Sequence, residues 1–203
     1  MRFDYIFDGL HATSEGDAEC RLMLAELDAV LPRELSVVGN ASSLLEGQYG
    51  AQIDRRPTLR FNRAQIVDAK AQGERWDFVA TSNGSVLRYY REHTPLYHHL
   101  VFTPYLDSHR EALAKTGSVT PVLTMPLRLS RKLSWQCRAR PTTGMQILTL
   151  LDQLERKVHV FGFDWKETST FYDPARIKDP HNHARERRLA LDIIERRGWH
   201  LYR

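Results

Sequence analysis

The sequence predicts an α/β chain with a mostly parallel central sheet flanked by helices. Short apolar, β-rich runs alternate with stretches of helical periodicity, the pattern of a parallel sheet covered on its faces. Two of the strand-like runs end in glycine turns, at Gly39-Asn40 and Gly162-Phe163. The chain has 203 residues, 42% hydrophobic and 27% charged, which suits one domain, residues 1–203, with a substantial core.

Taken in order, the predicted strands are 2–7, 35–38, 58–61, 78–81, 100–103, 122–125, 158–163 and 199–202. The predicted helices are 18–30, 41–45, 86–91, 109–115, 144–156 and 183–197. In the 144–156 stretch Met145, Leu148 and Leu151 form an apolar stripe, with Gln146, Thr149, Gln153 and Arg156 off it. Residues 126–141 and 165–180 read as irregular segments able to cover a site. There is no internal repeat and no low-complexity tract.

No apolar run approaches the roughly 20 residues needed to cross a bilayer, and the first residues lack a signal-peptide pattern. Cys20 and Cys137 have no metal-ligand spacing and suggest no disulfide framework. A cytoplasmic, reduced protein is the expectation. The net charge of +4 is modest, but the cations are uneven. Arg128, Arg131, Lys132, Arg138 and Arg140 fall within thirteen positions that hold no acid. Such a cluster suits an anionic acceptor, a peripheral contact with an anionic membrane, or nucleic acid. The carboxyl-terminal arginines alternate with Glu186, Asp192 and Glu195 and read as a solvated helix face.

Three segments carry chemistry. In the first, residues 36–63, a buried strand ends in Gly39-Asn40 and a second extended run delivers Asn62. Two neutral amides, each both donor and acceptor, then stand at the carboxyl edge of adjacent strands, where open α/β sheets bind ligands. In the second, Pro141-Thr142-Thr143-Gly144 opens a helix with a capping threonine and a bare first turn, a potential phosphate or carboxylate site. The strand run of 157–164 follows, ending in Gly162-Phe163-Asp164. In the third, His181 stands five positions before Glu186, at the start of the last helix.

In this order the segments resemble the motifs of the family 29 sialyltransferases. Val37-Val38-Gly39-Asn40 with Arg60-Phe61-Asn62 resembles the large sialylmotif, and residues 141–163 resemble the small one. His181 and Glu186 match the very short motif. The likeness spans about a quarter to a third of the chain, in four ordered pieces. It implies a Rossmann-like domain, the GT-A-like variant of sialyltransferases, that takes sialic acid or a related keto-sugar acid such as Kdo from its CMP ester. The acceptor would be a hydroxyl of a glycan or glycolipid, as in cell-surface polysaccharide biosynthesis. It further implies inversion at the anomeric carbon, no cofactor and no metal. Asn40, Asn62, Thr142, Thr143, Gly144 and Phe163 would bind the CMP donor, and His181 would be the general base. Gly39, Gly162, Asp173 and Glu186 would be supporting residues, with capping of the last helix accounting for Glu186.

One piece departs from the pattern. Where the family carries a histidine that supports the departing phosphate, this chain has Thr170-Phe171-Tyr172-Asp173. Thr170, Tyr172 and His183 are candidates for phosphate support, and Arg176 or Lys178 could supply the missing charge. The family's paired cysteine positions are held by Ser36 or Leu35 and by Leu154, as suits a bacterial-type cytosolic member. Metal independence has a second support, since the chain contains no Asp-x-Asp. Two alternatives stay open: a catalytically impaired CMP-sugar-binding protein, argued by Thr170, and a basic nucleic-acid-binding module. No helix-turn-helix, zinc-finger or aromatic RNA-binding run supports the latter, so no nucleic-acid partner is expected.

Overall fold

A computed structural model describes residues 14–63, 65–93, 99–104, 122–171 and 180–202. The elements are α1 (Ser14–Val30), β1 (Glu34–Val38), α2 (Gly50–Ile53), β2 (Thr58–Phe61), α3 (Ala69–Gln72), β3 (Phe78–Thr81) and α4 (Gly84–His93). They continue as β4 (His99–Phe102), β5 (Val122–Thr124), α5 (Leu127–Cys137), α6 (Thr143–Gln153), β6 (Lys157–Phe161), α7 (His183–Arg197) and β7 (His200–Tyr202). The expected strand 2–7, helix 109–115, and residues Tyr172, Asp173, Arg176 and Lys178 lie outside the described residues.

Seven strands form one sheet in the order β5-β4-β3-β2-β1-β6-β7, and every neighbouring pair is parallel. Strands β2 and β3 are buried throughout and β1 over all but its first residue, as expected of strands covered on both faces. Alternation along β1 divides the core. Leu35 and Val37 face the larger cluster with Leu27, Leu148, Val158, Val160 and Ile194. Val38 joins Leu44, Ile53 and Phe161 on the other side, where the Ser36 hydroxyl donates to the Ile53 carbonyl at 2.9 Å. At the foot of the sheet the Glu34 carboxylate accepts from Arg56 at 2.9 Å and meets His159 at 2.8 Å. Arg56, followed by His159, holds that carboxyl down to about 2.

Helix α6 is buried on nearly all sides, including Gln146, expected off its apolar stripe. Gln146 accepts the Ser130 hydroxyl at 2.7 Å, which joins α6 to α5 inside the core. Arg156, just beyond the helix, is buried with Nη1 2.7 Å from the Asp28 carboxylate and with bonds to the carbonyls of Leu154 and Asp28. A buried arginine needs partners of this kind, and α1 supplies most of them. Leu35 and Leu154 pack in the same core cluster, and both Cys20 and Cys137 are free thiols. Burial pushes the Cys137 thiol up to about 12.

Several expectations are corrected. The segment 126–141 is not irregular: 127–137 is helix α5. Its inward positions, Leu127, Ser130, Leu133 and Cys137, keep a helical spacing, but two of them are weak hydrophobic signals. The expected helix 41–45 is a 3₁₀ turn, Ser42–Glu46. Strand β6 ends at Phe161 because Gly162 turns into the left-handed region, and α6 ends at Gln153, ahead of Glu155 with φ 54°. The short helices α2 and α3 carry too few residues for periodicity to show them.

Candidate active site

The sheet reverses its winding between β1 and β6: β2 to β5 continue on one side and β6 and β7 on the other. Crevices outside the carboxyl ends of strands form at such a point. Here a cavity of about 400 Å³ opens beside Gly39, Asn40, Asn62, Thr142, Gly144 and Phe163. Thr143, Gly162, Thr170, His181, His183 and Glu186 also line it. Every predicted site residue within the described residues thus borders one cavity.

The floor is a close backbone approach. The Gly39 N–H donates to the Phe161 carbonyl at 2.7 Å and Ala41 N–H to Gly162 O at 3.3 Å. A Cβ on Gly39 would strike the Gly162 carbonyl and lie 2.9 Å from the Phe163 ring. A Cβ on Gly144 would also come within 2.9 Å of that ring. Phe163, edge-on to Phe61 with centroids 5.7 Å apart, therefore fills the space between strand ends and helix start that the glycines leave.

Each of the two amides is held by the next strand along the sheet, Asn40 by β2 and Asn62 by β3. Asn40 Nδ2 donates to Phe61 O at 3.1 Å, turning its amide toward the end of β2. Asn62 follows β2 with φ 54°, its N–H bonded to Ala80 O at 2.9 Å. Its Oδ1 accepts the Thr81 hydroxyl at 3.0 Å, so Nδ2 remains as a donor for a ligand. The arginine of the Arg-x-Asn pattern has a different task. Arg60 is buried, donating to the carbonyls of Arg75 at 2.9 Å and Gln72 at 2.7 Å. Desolvation lowers it to about 10, which still leaves it charged at neutrality.

At the start of α6 both threonine hydroxyls are engaged within the protein. Thr142 caps the helix by accepting Met145 N–H at 3.1 Å and donates its hydroxyl proton to Glu186 at 2.6 Å. Its N–H reaches the same carboxylate at 2.8 Å. Thr143 Oγ1 lies 3.0 Å from Ser82 Oγ, which ties the helix to the end of β3. The backbone N–H groups of Thr143 and Gly144, rather than the hydroxyls, are the donors this turn offers a ligand. Glu186 is buried, and it is Asn182 that caps α7, by accepting Arg185 N–H at 3.2 Å. Glu186 instead bolts α7 to Thr142, the cap of the neighbouring helix α6.

The loop after β6 folds back against residues 40–43. Ser42 N–H bonds to Ser169 O at 2.9 Å, Phe171 N–H to Asn40 O at 3.2 Å, and Ala41 bridges Thr170. Asp164 knots the loop, accepting from Ser43 at 3.1 Å, from Lys166 N–H at 3.1 Å and from Thr168. Trp165 and Lys166 take left-handed backbone angles, φ 52° and 70°. The Lys166 ammonium then donates to Thr170 Oγ1 at 2.6 Å. A cation therefore stands beside the threonine, on the cavity wall.

His181 Nδ1 lies 2.6 Å from the Arg140 carbonyl, so that nitrogen carries the proton and the basic lone pair is on Nε2. The His183 ring sits 5.8 Å away, edge-on.

Sequence reasoning missed Ser82, Asn83, Lys166 and Asp164 on the cavity wall. A signal existed for the first two. Thr81-Ser82-Asn83-Gly84-Ser85 is a strand end followed by a helix cap, with Asn83 Oδ1 accepting Ser85 N–H at 2.9 Å. Lys166 had none, because its approach depends on the folded loop.

The chain superposes on a mammalian sialyltransferase with a TM-score of 0.62 at 16% identity, covering 96% of this chain and 87% of that one. A mammalian sialyltransferase in complex with Gal-beta-1-3GalNAc-ortho-nitrophenol gives 0.64 at 18% identity, over 96% and 80%. Its fold is that of solved sialyltransferases. The sialyltransferase CstII from Campylobacter jejuni, in complex with the substrate analogue CMP-3FNeuAc, gives 0.55 at 15% identity, over 84% and 79%. No family model and no curated protein matches the sequence. The likeness is one of fold.

The close approach at the strand ends makes a direct prediction. Gly39→Ala forces a methyl group between two backbones that neither strand can yield. It should cost about 3 kcal/mol, the upper end for overpacking, read as a lower urea midpoint at unchanged slope.

Proposed function

We propose that this chain transfers sialic acid, or a related keto-sugar acid such as Kdo, from its CMP ester to a hydroxyl of a glycan or glycolipid. The observation that carries the reading is the meeting of Asn40, Asn62, the start of α6 and His181 around one cavity in a sialyltransferase fold. The relatives' complexes add support: one holds a CMP-sugar analogue and another a disaccharide derivative.

In this reading the cytidine monophosphate lies across the switch point, held by Asn62 Nδ2, the Asn40 amide and the N–H groups of Thr143 and Gly144. Phe163 shapes the floor. The acceptor oxygen attacks the anomeric carbon as its bond to the phosphate oxygen breaks, with inversion. The acceptor's proton passes to His181 Nε2, and CMP departs with the bonding electrons. Arg140 fixes the tautomer through its carbonyl, so the imidazole arrives as a base. Such assistance is typically worth ~10²–10⁴-fold. The leaving monophosphate carries less charge than a nucleoside diphosphate, and Lys166 supplies a cation where relatives of the pattern carry a histidine. We therefore assign phosphate support to Lys166 acting beside Thr170, and metal-independent transfer is part of the proposal.

Calorimetric titration of the protein with CMP and UDP tests the donor class. CMP should bind, UDP should not, and Asn62→Ala should weaken CMP about tenfold by removing one hydrogen-bond donor. Binding of UDP but not CMP overturns the reading. For His181→Ala, CMP affinity should persist while turnover with CMP-sialic acid or CMP-Kdo falls ~10²–10⁴-fold; an unchanged turnover number removes His181 as base. Lys166→Met should lower turnover about ten- to a hundredfold, with Lys166→Arg retaining most of it, since a charged donor near a developing anion is worth a few kcal/mol. Equal turnover in the methionine variant would shift phosphate support to another residue.

A further inference from the structure

Helix α5 presents two unlike faces. Leu127, Ser130, Leu133 and Cys137 are buried against the body of the domain. Arg128, Arg131, Lys132 and Trp135 follow the i, i+3, i+4, i+7 spacing on the opposite side, all exposed, within about 100° of helix arc. Trp135 is 63% exposed, an unusual position for the largest apolar side chain. The helix contains no acidic residue, and Asp17 of α1 pairs with Arg128. Arg138 follows directly, and Arg185 of α7 reaches the last turn by donating to Gln136 O at 3.4 Å.

We propose that the solvent face of α5 docks on an anionic phospholipid surface. Cations at this spacing meet headgroup phosphates while an exposed indole enters the headgroup layer, its preferred depth. Charge complementarity selects an acidic membrane, and the tryptophan in the middle of the arc favours a lipid interface over a purely ionic partner. The surface also lies beside the cavity. Arg140, three residues beyond the end of α5, lines it and holds His181 through its carbonyl. Docking on this face brings the cavity rim to the membrane, where a glycolipid acceptor resides. This inference goes beyond the transferase reading and stands on separate residues.

Co-sedimentation of the full chain with phosphatidylcholine vesicles, with and without phosphatidylglycerol, tests it. The protein should pellet with the acidic vesicles, stay in solution with phosphatidylcholine alone, and be released by added salt. Arg131→Glu with Lys132→Glu should weaken partitioning by on the order of tenfold or more, and Trp135→Ala several-fold. CMP titration of the same variants should match the parent chain, which confirms their folding. If the parent protein fails to bind CMP but still binds vesicles, the transferase reading fails and the docking surface stands. No pelleting, equal binding to neutral vesicles, or full binding by the charge-reversed variant overturns the proposal. So does salt-sensitive binding of single-stranded oligonucleotides, lost in that variant, without vesicle binding.

Discussion

The architecture of the cavity depends on two glycines touching. Gly39 and Gly162 let the ends of β1 and β6 come closer than any side chain would permit, at the one place where the sheet changes its direction of winding. Their backbone hydrogen bonds, Gly39 N–H to Phe161 O and Ala41 N–H to Gly162 O, extend the ladder by one step past the strands. The chain then leaves both strands abruptly, with Gly162 in the left-handed region. Asn40 emerges on one side of the contact and Phe163 on the other. A methyl group on Gly39 would separate these two residues and with them the two walls of the cavity.

Around that contact the polar groups are ordered by partners from distant parts of the chain. Asn40 bonds to Phe61, Asn62 to Thr81, Thr143 to Ser82, and Thr142 to Glu186. Each bond fixes one atom of the side chain and so decides which atom can meet a ligand. This is preorganisation: little side-chain freedom is left to lose on binding. It also explains why Glu186 is buried without a role at the reacting centre. Its carboxylate satisfies two donors of Thr142 and thereby aligns α6 with α7, the helix that His181 precedes.

The sheet was legible from the sequence because buried parallel strands are nearly uniform apolar runs, as in 58–61 and 78–81. The site segments were legible because glycine turns and a threonine cap have few alternative explanations at a strand end or helix start. What stayed hidden depended on folding at long range. Nothing local shows that Arg60 turns inward to the carbonyls of Gln72 and Arg75, or that Arg156 finds Asp28 across 128 residues. The side-chain contact of Lys166 with Thr170 exists only once Asp164 has closed the loop. Helix α5 was missed for another reason: with Ser130 and Cys137 on its inner face, apolar periodicity is too weak to outweigh its flanking prolines.

The short link from α5 to α6 connects these features. Arg138 ends α5 in the left-handed conformation, φ 50°, and Thr142 caps α6 four residues later. Between them the Arg140 carbonyl sets the tautomer of His181. The imidazole is thus held by a backbone group that lies between two helices, one buried in the core and one facing solvent with a basic arc. Helix α6 cannot shift, since its sides are packed and its cap is bonded to Glu186. The segment 138–141 therefore joins the exposed helix α5 to the carbonyl that bonds the His181 ring. The basic arc of α5 and the cavity wall at Thr142 are thus joined by a short stretch of chain.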